Sequence, residues 1–217
     1  MSKQLSREIG ARWIASDLSV ADLDAPEWLR ADPVSIERYW SGDPAPPSSH
    51  AEVRILWSDL ALLVRYVCNQ SNAPIVNPTP QILKKTIGLW DRDVCEIFLA
   101  PDASRPERYC EFEAAPTGEW VDLAINWKPQ GRETDWHFNS GMTVAARSEK
   151  DLLVVAIRIP WSTTSEAIPK PRKDDLWRVN LFRCVGTGNS RYLAWQPTLT
   201  REPNFHVPEA FGWLRFD

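Results

Sequence analysis

The chain contains no apolar run approaching the roughly 20 residues needed to cross a bilayer. Its opening, MSKQLSREIGARWIASDL, also lacks the continuous apolar core of a secretory signal. A membrane-spanning protein is therefore not expected. As written the chain reads as cytoplasmic, although an exported protein whose signal had been trimmed would begin the same way. An excess of either charge is missing as well: 25 Lys and Arg face 29 Asp and Glu, for a formal net charge of -4. Without a basic stripe or a long block of like charge there is no electrostatic footprint for nucleic acid or an anionic membrane. A small neutral or polar ligand remains.

Reactive side chains are scarce. The three histidines, His50, His137 and His206, stand in loop-like stretches, and no HExxH, nucleophile elbow or phosphate loop occurs. The four cysteines, Cys68, Cys95, Cys110 and Cys184, lie far apart inside apolar alternations, without zinc spacing. They read as buried free thiols, the alternative being a disulfide in an exported protein. Neither Met1 nor Met142 sits opposite a histidine as a haem axial pair. Acidic residues such as Asp91, Asp93 and Asp102 show no EF-hand spacing. No metal or cofactor is expected.

What the chain has in quantity is proline and tryptophan, 18 and 12 in 217 residues. Prolines spread throughout leave few windows for helices. About nine short segments with strand character recur between turn signals: AEVRILWS, ALLVRYVCN, DVCEIFLA, RYCEFEAA, EWVDLAIN, GMTVAARSE, LLVVAIRIP, WRVNLFRCV and RYLAWQP. This predicts one all-β domain over residues 1–217, an antiparallel β-sandwich of jelly-roll type. Residues 1–50 form an irregular wrap pinned by Trp13, Trp28 and Trp40. Residues 70–89, 128–140, 161–175 and 196–212 read as long loops, the usual carriers of binding residues.

Period-two alternation assigns faces. In DVCEIFLA, Cys95, Ile97 and Leu99 share one face, and Val94, Glu96 and Phe98 the other. In RYCEFEAA, Tyr109, Glu111 and Glu113 lie opposite Cys110, Phe112 and Ala114. A simple hairpin between the two sets Glu96 nearly opposite Glu111, with Glu113 diagonal. Like charges so placed destabilise a sheet by up to about 1 kcal/mol unless something intervenes. One answer is structural, an arginine among Arg65, Arg158, Arg178 and Arg183 from neighbouring strands. The other is a carboxylate-lined surface that accepts hydrogen bonds from sugar hydroxyls. Trp90, Trp120, Trp127, Trp161 and Trp195 stand at strand ends, where an indole can stack on the flat C–H face of a sugar ring.

The strings LWDRDVCEIFLAPD, RYCEFEAAPTGEWVD, VVAIRIPW, WRVNLFRC, YLAWQPT and NFHVPEAFGWLRF, preceded by LDAPEW, occur in order. Together they resemble the family 9 carbohydrate-binding modules and their DOMON-like relatives over residues from about 50 to 217. The resemblance implies a β-sandwich that clamps a sugar between two tryptophans, in the best-known members at a chain's reducing end. Trp90, six residues before Glu96, matches the first of these tryptophans and Trp195 the second. The family's sugar-binding arginine is replaced by Glu113 or Glu111, and Tyr192 stands where the family has a polar amide. Some members carry structural calcium. In that context Asn180 supplies an amide and His206 closes one side of the pocket.

The expected function is non-catalytic binding of a mono- or oligosaccharide by Trp90, Trp195, Glu96, Glu111, Glu113, Asn180, Tyr192 and His206. Two alternatives stand beside it. One is a glycoside hydrolase, or an accessory domain detached from one, using Glu96 with Glu111 or Glu113. The other is an aromatic protein-interaction module.

Overall fold

The computed structural model describes residues 8–162 and 167–217. Met1 and part of the loop expected over 161–175 lie outside the described residues. In chain order the strands are β1 (Glu8–Trp13), β2 (Val34–Ile36), β3 (Arg38–Tyr39), β4 (Ala51–Trp57), β5 (Ala61–Asn69), β6 (Val94–Ala100) and β7 (Arg108–Ala114). They continue with β8 (Trp120–Lys128), β9 (Gly131–Asp135), β10 (Thr143–Glu149), β11 (Leu152–Pro160), β12 (Leu176–Cys184), β13 (Tyr192–Ala194) and β14 (Gly212–Phe216). Only short 3-10 turns accompany them, and no helix among the described residues is long and apolar enough to cross a membrane.

The strands run β10-β11-β5-β4-β1-β14-β12-β6-β7-β8-β9, with β2 paired to β4 and β13 bridging β12 and β3. This continuous ribbon folds over into a β-sandwich. Ile55, Val64, Tyr66, Val155 and Ile157 of one half meet Ile97, Leu99, Phe112, Val179 and Leu181 of the other in the central core. The Tyr66 hydroxyl crosses the core to donate to the Glu96 carbonyl at 2.6 Å. All four cysteines are buried thiols, with Cys68 and Cys95 facing each other at 3.6 Å.

The sheet departs from a purely antiparallel one at β1, which pairs parallel to both β4 and β14. The segment expected to be irregular thus supplies the strand that joins the two halves. Only Ile9 and Ala11 of β1 point into the central core, a pattern too short to show alternation. Its partners lie in distant parts of the chain, Ile55 and Phe216 both opposite Ala11. The expected wrap does exist from Ile14 onward. Ile14, Leu23 and Trp28 cover Leu56, Leu63, Val154 and Ala156 on the outer face of the first half. The indole of Trp28 is pinned by a 3.0 Å bond to the Asp22 carbonyl.

The outer face of the second half is also covered. There Val94, Phe98, Tyr109, Leu123, Phe182 and Phe211 form a second apolar layer. Every residue of β6 is buried as a result, which explains why it reads as a nearly continuous apolar run. Trp195 is corrected by the same geometry. It is 3 % exposed, packs in the central core, and donates its backbone N–H to Leu181 at 2.9 Å. Trp195→Ala should therefore destabilise the fold by about 3–5 kcal/mol, measured by urea unfolding. A loss of about 0.5 kcal/mol or less, the range of ordinary surface changes, would contradict this packing.

Candidate functional site

The β6–β7 pairing sets the chemistry. Glu96 lies directly across from Glu113, and Glu111, directly across from Phe98, is diagonal to Glu96. The register is two residues away from the simple hairpin expected. A two-residue shift leaves every side chain on its own face, so the three glutamates still share the outer surface. Each offers one oxygen, and these oxygens lie within 4.8 Å of one another. Glu96, Glu111 and Glu113 are 2 %, 3 % and 0 % exposed. They form one end of a cavity of about 260 Å³, also lined by Trp90, Trp136, Tyr192 and His206.

The arginines considered as partners are engaged elsewhere. Arg183 donates to the Ser49 and His50 carbonyls and to Gln70, Arg158 pairs with Asp17 and Arg65 with Asp24, and Arg178 donates to the Phe211 and Gly212 carbonyls. Both oxygens of Glu113 and Oε2 of Glu111 are buried without a hydrogen-bond partner. Two carboxylates are acceptors only, so contact between them becomes a bond only when one carries a proton.

Burial raises all three groups. Glu96 is pushed up to about 8, first by desolvation and then by the charge of Glu111, against the opposing effect of the Cys184 thiol. That thiol donates to Glu96 Oε1 at 3.3 Å. Glu113 is held well above the carboxylate range by burial and then by Glu96 and Glu111. Burial also lifts Glu111, with contact from Glu113 and the charge of Arg132 acting the other way.

Beside them His206 is depressed to about 3 by burial and then by Arg132, so its ring is neutral. Trp127, a donor only, gives its indole N–H to the Tyr109 hydroxyl at 3.4 Å, and that hydroxyl meets His206 Nδ1 at 2.8 Å. The other ring nitrogen, Nε2, lies 3.9 Å from Glu111 Oε2.

Trp90 sits in a 3-10 turn, Leu89–Asp91, whose Leu89 is buried in the outer apolar layer. Gly88 enters that turn at a φ of 82°, a left-handed conformation that favours glycine. Arg191 holds the turn by donating to the carbonyls of Trp90 (3.2 Å), Asp91 (3.0 Å) and Arg92 (2.6 Å). The preceding loop is tied down by Glu119, which accepts from Asn77 and the Gln81 backbone, and by Lys85, paired to Asp122 at 2.8 Å.

The second indole of the cavity is Trp136, half-exposed, its centroid 6.3 Å from that of Trp90 at an interplanar angle of 45°. A ring held between two parallel indoles would need about 7–8 Å, twice the carbon–carbon contact distance. The pair therefore forms a corner rather than a clamp. Trp136 follows β9, where Arg132, Thr134 and Trp136 alternate onto the cavity. This polar strand lay inside a stretch expected to be a loop, and its period-two pattern was the available signal.

Of the remaining candidates, Tyr192 and His206 line the cavity. Asn180 lies on the correct face, but its amide is occupied: it donates to the Gln196 carbonyl at 2.8 Å and accepts from the Leu181 and Gln196 backbone. Trp195 faces the central core. Tyr192 and Trp195 are three residues apart on extended chain and so point to opposite sides. Among the other strand-end tryptophans, Trp120 donates to Ile82 and Trp161 to Ser58, both through backbone carbonyls. Of the acidic residues flanking β6, Asp93 accepts from Gly186 and Gln70, and Asp102 accepts from Ser104 and Arg105.

A folded-over β-sandwich with a concave, indole-walled and carboxylate-floored cavity on an outer sheet face belongs to the class of small-ligand-binding sandwiches. Within that class, the chain belongs to the carbohydrate family 9 binding domain-like family, which matches residues 21–216. No curated protein matches it significantly. Among solved structures it is similar to a family 9 carbohydrate-binding module from Caldicellulosiruptor kristjanssonii in complex with glucose. Identity is 17%, over 97% of this chain and 95% of that one, with a TM-score of 0.66. The same organism's module in complex with cellotriose also gives 17% identity and 0.66, over 97% and 93% of the chains. A protein from Bacteroides uniformis, described as a "putative carbohydrate-binding protein", gives 16% identity and 0.70, over 97% and 99%. At such identities the likeness is one of fold.

The raised Glu96 has a consequence for stability. The folded protein retains a proton that the unfolded chain releases from about pH 4.5, so this group's contribution is full below that value and is lost as pH rises toward about 8. The lowered His206 acts oppositely: its contribution is present above about 6.5 and lost as pH falls toward about 3. The difference between wild type and Glu96→Gln isolates the carboxyl group. The variant should melt higher than wild type at pH 8, and its advantage should shrink toward pH 5. A pH-independent difference in melting temperature would exclude a raised Glu96.

Proposed function

We propose that the protein binds carbohydrate without catalysis, with a sugar ring lying against the Trp90–Trp136 corner and its hydroxyls directed to the glutamates. The observation that carries this reading is the set of buried, partnerless carboxylate oxygens opening onto an indole-walled cavity. Sugars offer what both parts lack, O–H donors on the rim of the ring and flat C–H faces for stacking. Family membership supports the same ligand class. An interaction module would more naturally present its tryptophans on a patch without a cavity.

The hydrolase reading draws support from Glu96, raised to about 8 and within 4.8 Å of other carboxylate oxygens. A retaining glycosidase places an acid and a nucleophile about 5 Å apart. All three carboxyl groups are here crowded into one buried cluster, which favours shared protons over division into a protonated acid and an ionised nucleophile.

Tryptophan fluorescence titration against mono- and oligosaccharides should give a saturable change in wild type. That change should be lost in Trp90→Ala and Trp136→Ala, with little loss of melting temperature in Trp136→Ala. Turnover of aryl glycosides or oligosaccharides that vanishes in Glu96→Gln would overturn the non-catalytic assignment. An unaltered affinity in both tryptophan variants would overturn the stacking site.

A further inference from the structure

The three carboxyl groups on the cavity floor hold protons among themselves, and once ionised they present acceptors with no donor beside them. Glu113 Oε1, Glu113 Oε2 and Glu111 Oε2 are buried and accept from no donor outside the cluster. The contact between Glu111 and Glu113 is a bond only when one carries a proton. Glu113 and Glu111 are 0 % and 3 % exposed and line the cavity. Among the described residues, the basic side chain within 4 Å of these glutamates is His206, 3.9 Å from Glu111, and its ring is neutral. Arg132 lines the cavity from the exposed side of β9.

A neutral sugar hydroxyl brings one donor and two acceptor lone pairs to such a floor. A primary ammonium brings three N–H donors and no acceptor. It therefore can take the place of the protons held in the cluster, and would offset the like charges that ionisation of the paired Glu96 and Glu113 sets across from each other. The indole faces of Trp90 and Trp136 favour a cation as well. An N-acetyl group in the same place would set an uncharged carbonyl acceptor against carboxylates.

We propose that the cavity selects a sugar ring bearing a free primary ammonium, with the ammonium on Glu96, Glu111 and Glu113 and the ring against Trp90 and Trp136. This rests on the carbohydrate reading of the site. The recognised chemistry is an amino sugar that is neither N-acetylated nor replaced by its plain hydroxyl counterpart.

Calorimetric titration of the full chain at near-neutral pH with D-glucosamine, N-acetyl-D-glucosamine, D-glucose, cellotriose, cyclohexylammonium and calcium chloride tests it. D-Glucosamine should bind roughly 10- to 100-fold more tightly than D-glucose, the range expected for a charge-assisted contact. N-Acetyl-D-glucosamine should fall to the level of glucose. The preference should collapse in Glu113→Gln and in Glu111→Gln while both variants retain a cooperative melt.

Glucose or cellotriose binding as tightly as glucosamine would overturn the ammonium selectivity and leave the carbohydrate reading intact. Binding of cyclohexylammonium with no response to any sugar would overturn both. Saturable calcium binding that excludes glucosamine would replace the proposal with a metal site, and silence across the whole panel would overturn both readings.

Discussion

Strands β6, β7 and β12 are covered on both faces, and this constraint governs the protein's chemistry. One face closes the central core and the other carries the apolar layer of Phe98, Tyr109, Phe182 and Phe211. A side chain on these strands has no easy route to water. Three glutamates placed there meet a low-dielectric surrounding and one another's charge together, and their affinity for protons rises. A carboxylate cluster on a solvated sheet face would be ordinary. Under this layer it becomes a concentrated demand for donors, relieved only where the cavity opens between Trp90, Trp136 and Tyr192.

The two indoles reach the cavity by different means, and their freedom differs accordingly. Trp90 is part of a turn anchored by buried Leu89 and clasped through three backbone carbonyls by Arg191. Trp136 lies just past edge strand β9, paired only with β8, and is half-exposed. One wall is held by its turn and the other stands exposed at a sheet edge. A 6.3 Å corner that opens by movement of Trp136 would retain its anchored, partly buried wall while admitting a ring.

Polar satisfaction elsewhere sharpens the contrast with the cavity floor. Asn180 spends its donor and acceptor on a backbone loop, Arg183 caps two carbonyls and Gln70, and Glu119 ties down the middle of the 70–89 loop through Asn77 and Gln81. Buried polar groups in folded proteins are usually paired in this way. The partnerless oxygens of Glu111 and Glu113 are exceptions gathered at a concave surface, which is why they inform the functional reading while buried Asn180 does not.

Local pattern carried most of the fold class and part of the site. The alternation in VCEIFLA and RYCEFEA placed Glu96, Glu111 and Glu113 on one face before any partner strand was known, because the period of two is a property of extended backbone itself. The same rule separates Tyr192 from Trp195, although a motif match set them in one pocket. Tertiary structure decided the remainder. The parallel seat of β1, the β6–β7 register and the approach of Trp136 to Trp90 each join residues distant in sequence or depend on how an intervening loop closes. No local propensity encodes such pairings. What the amino-acid sequence determined alone was which side each strand residue faces. Which faces were buried twice, and which tryptophan met the glutamates, depended on the packing of the whole sheet.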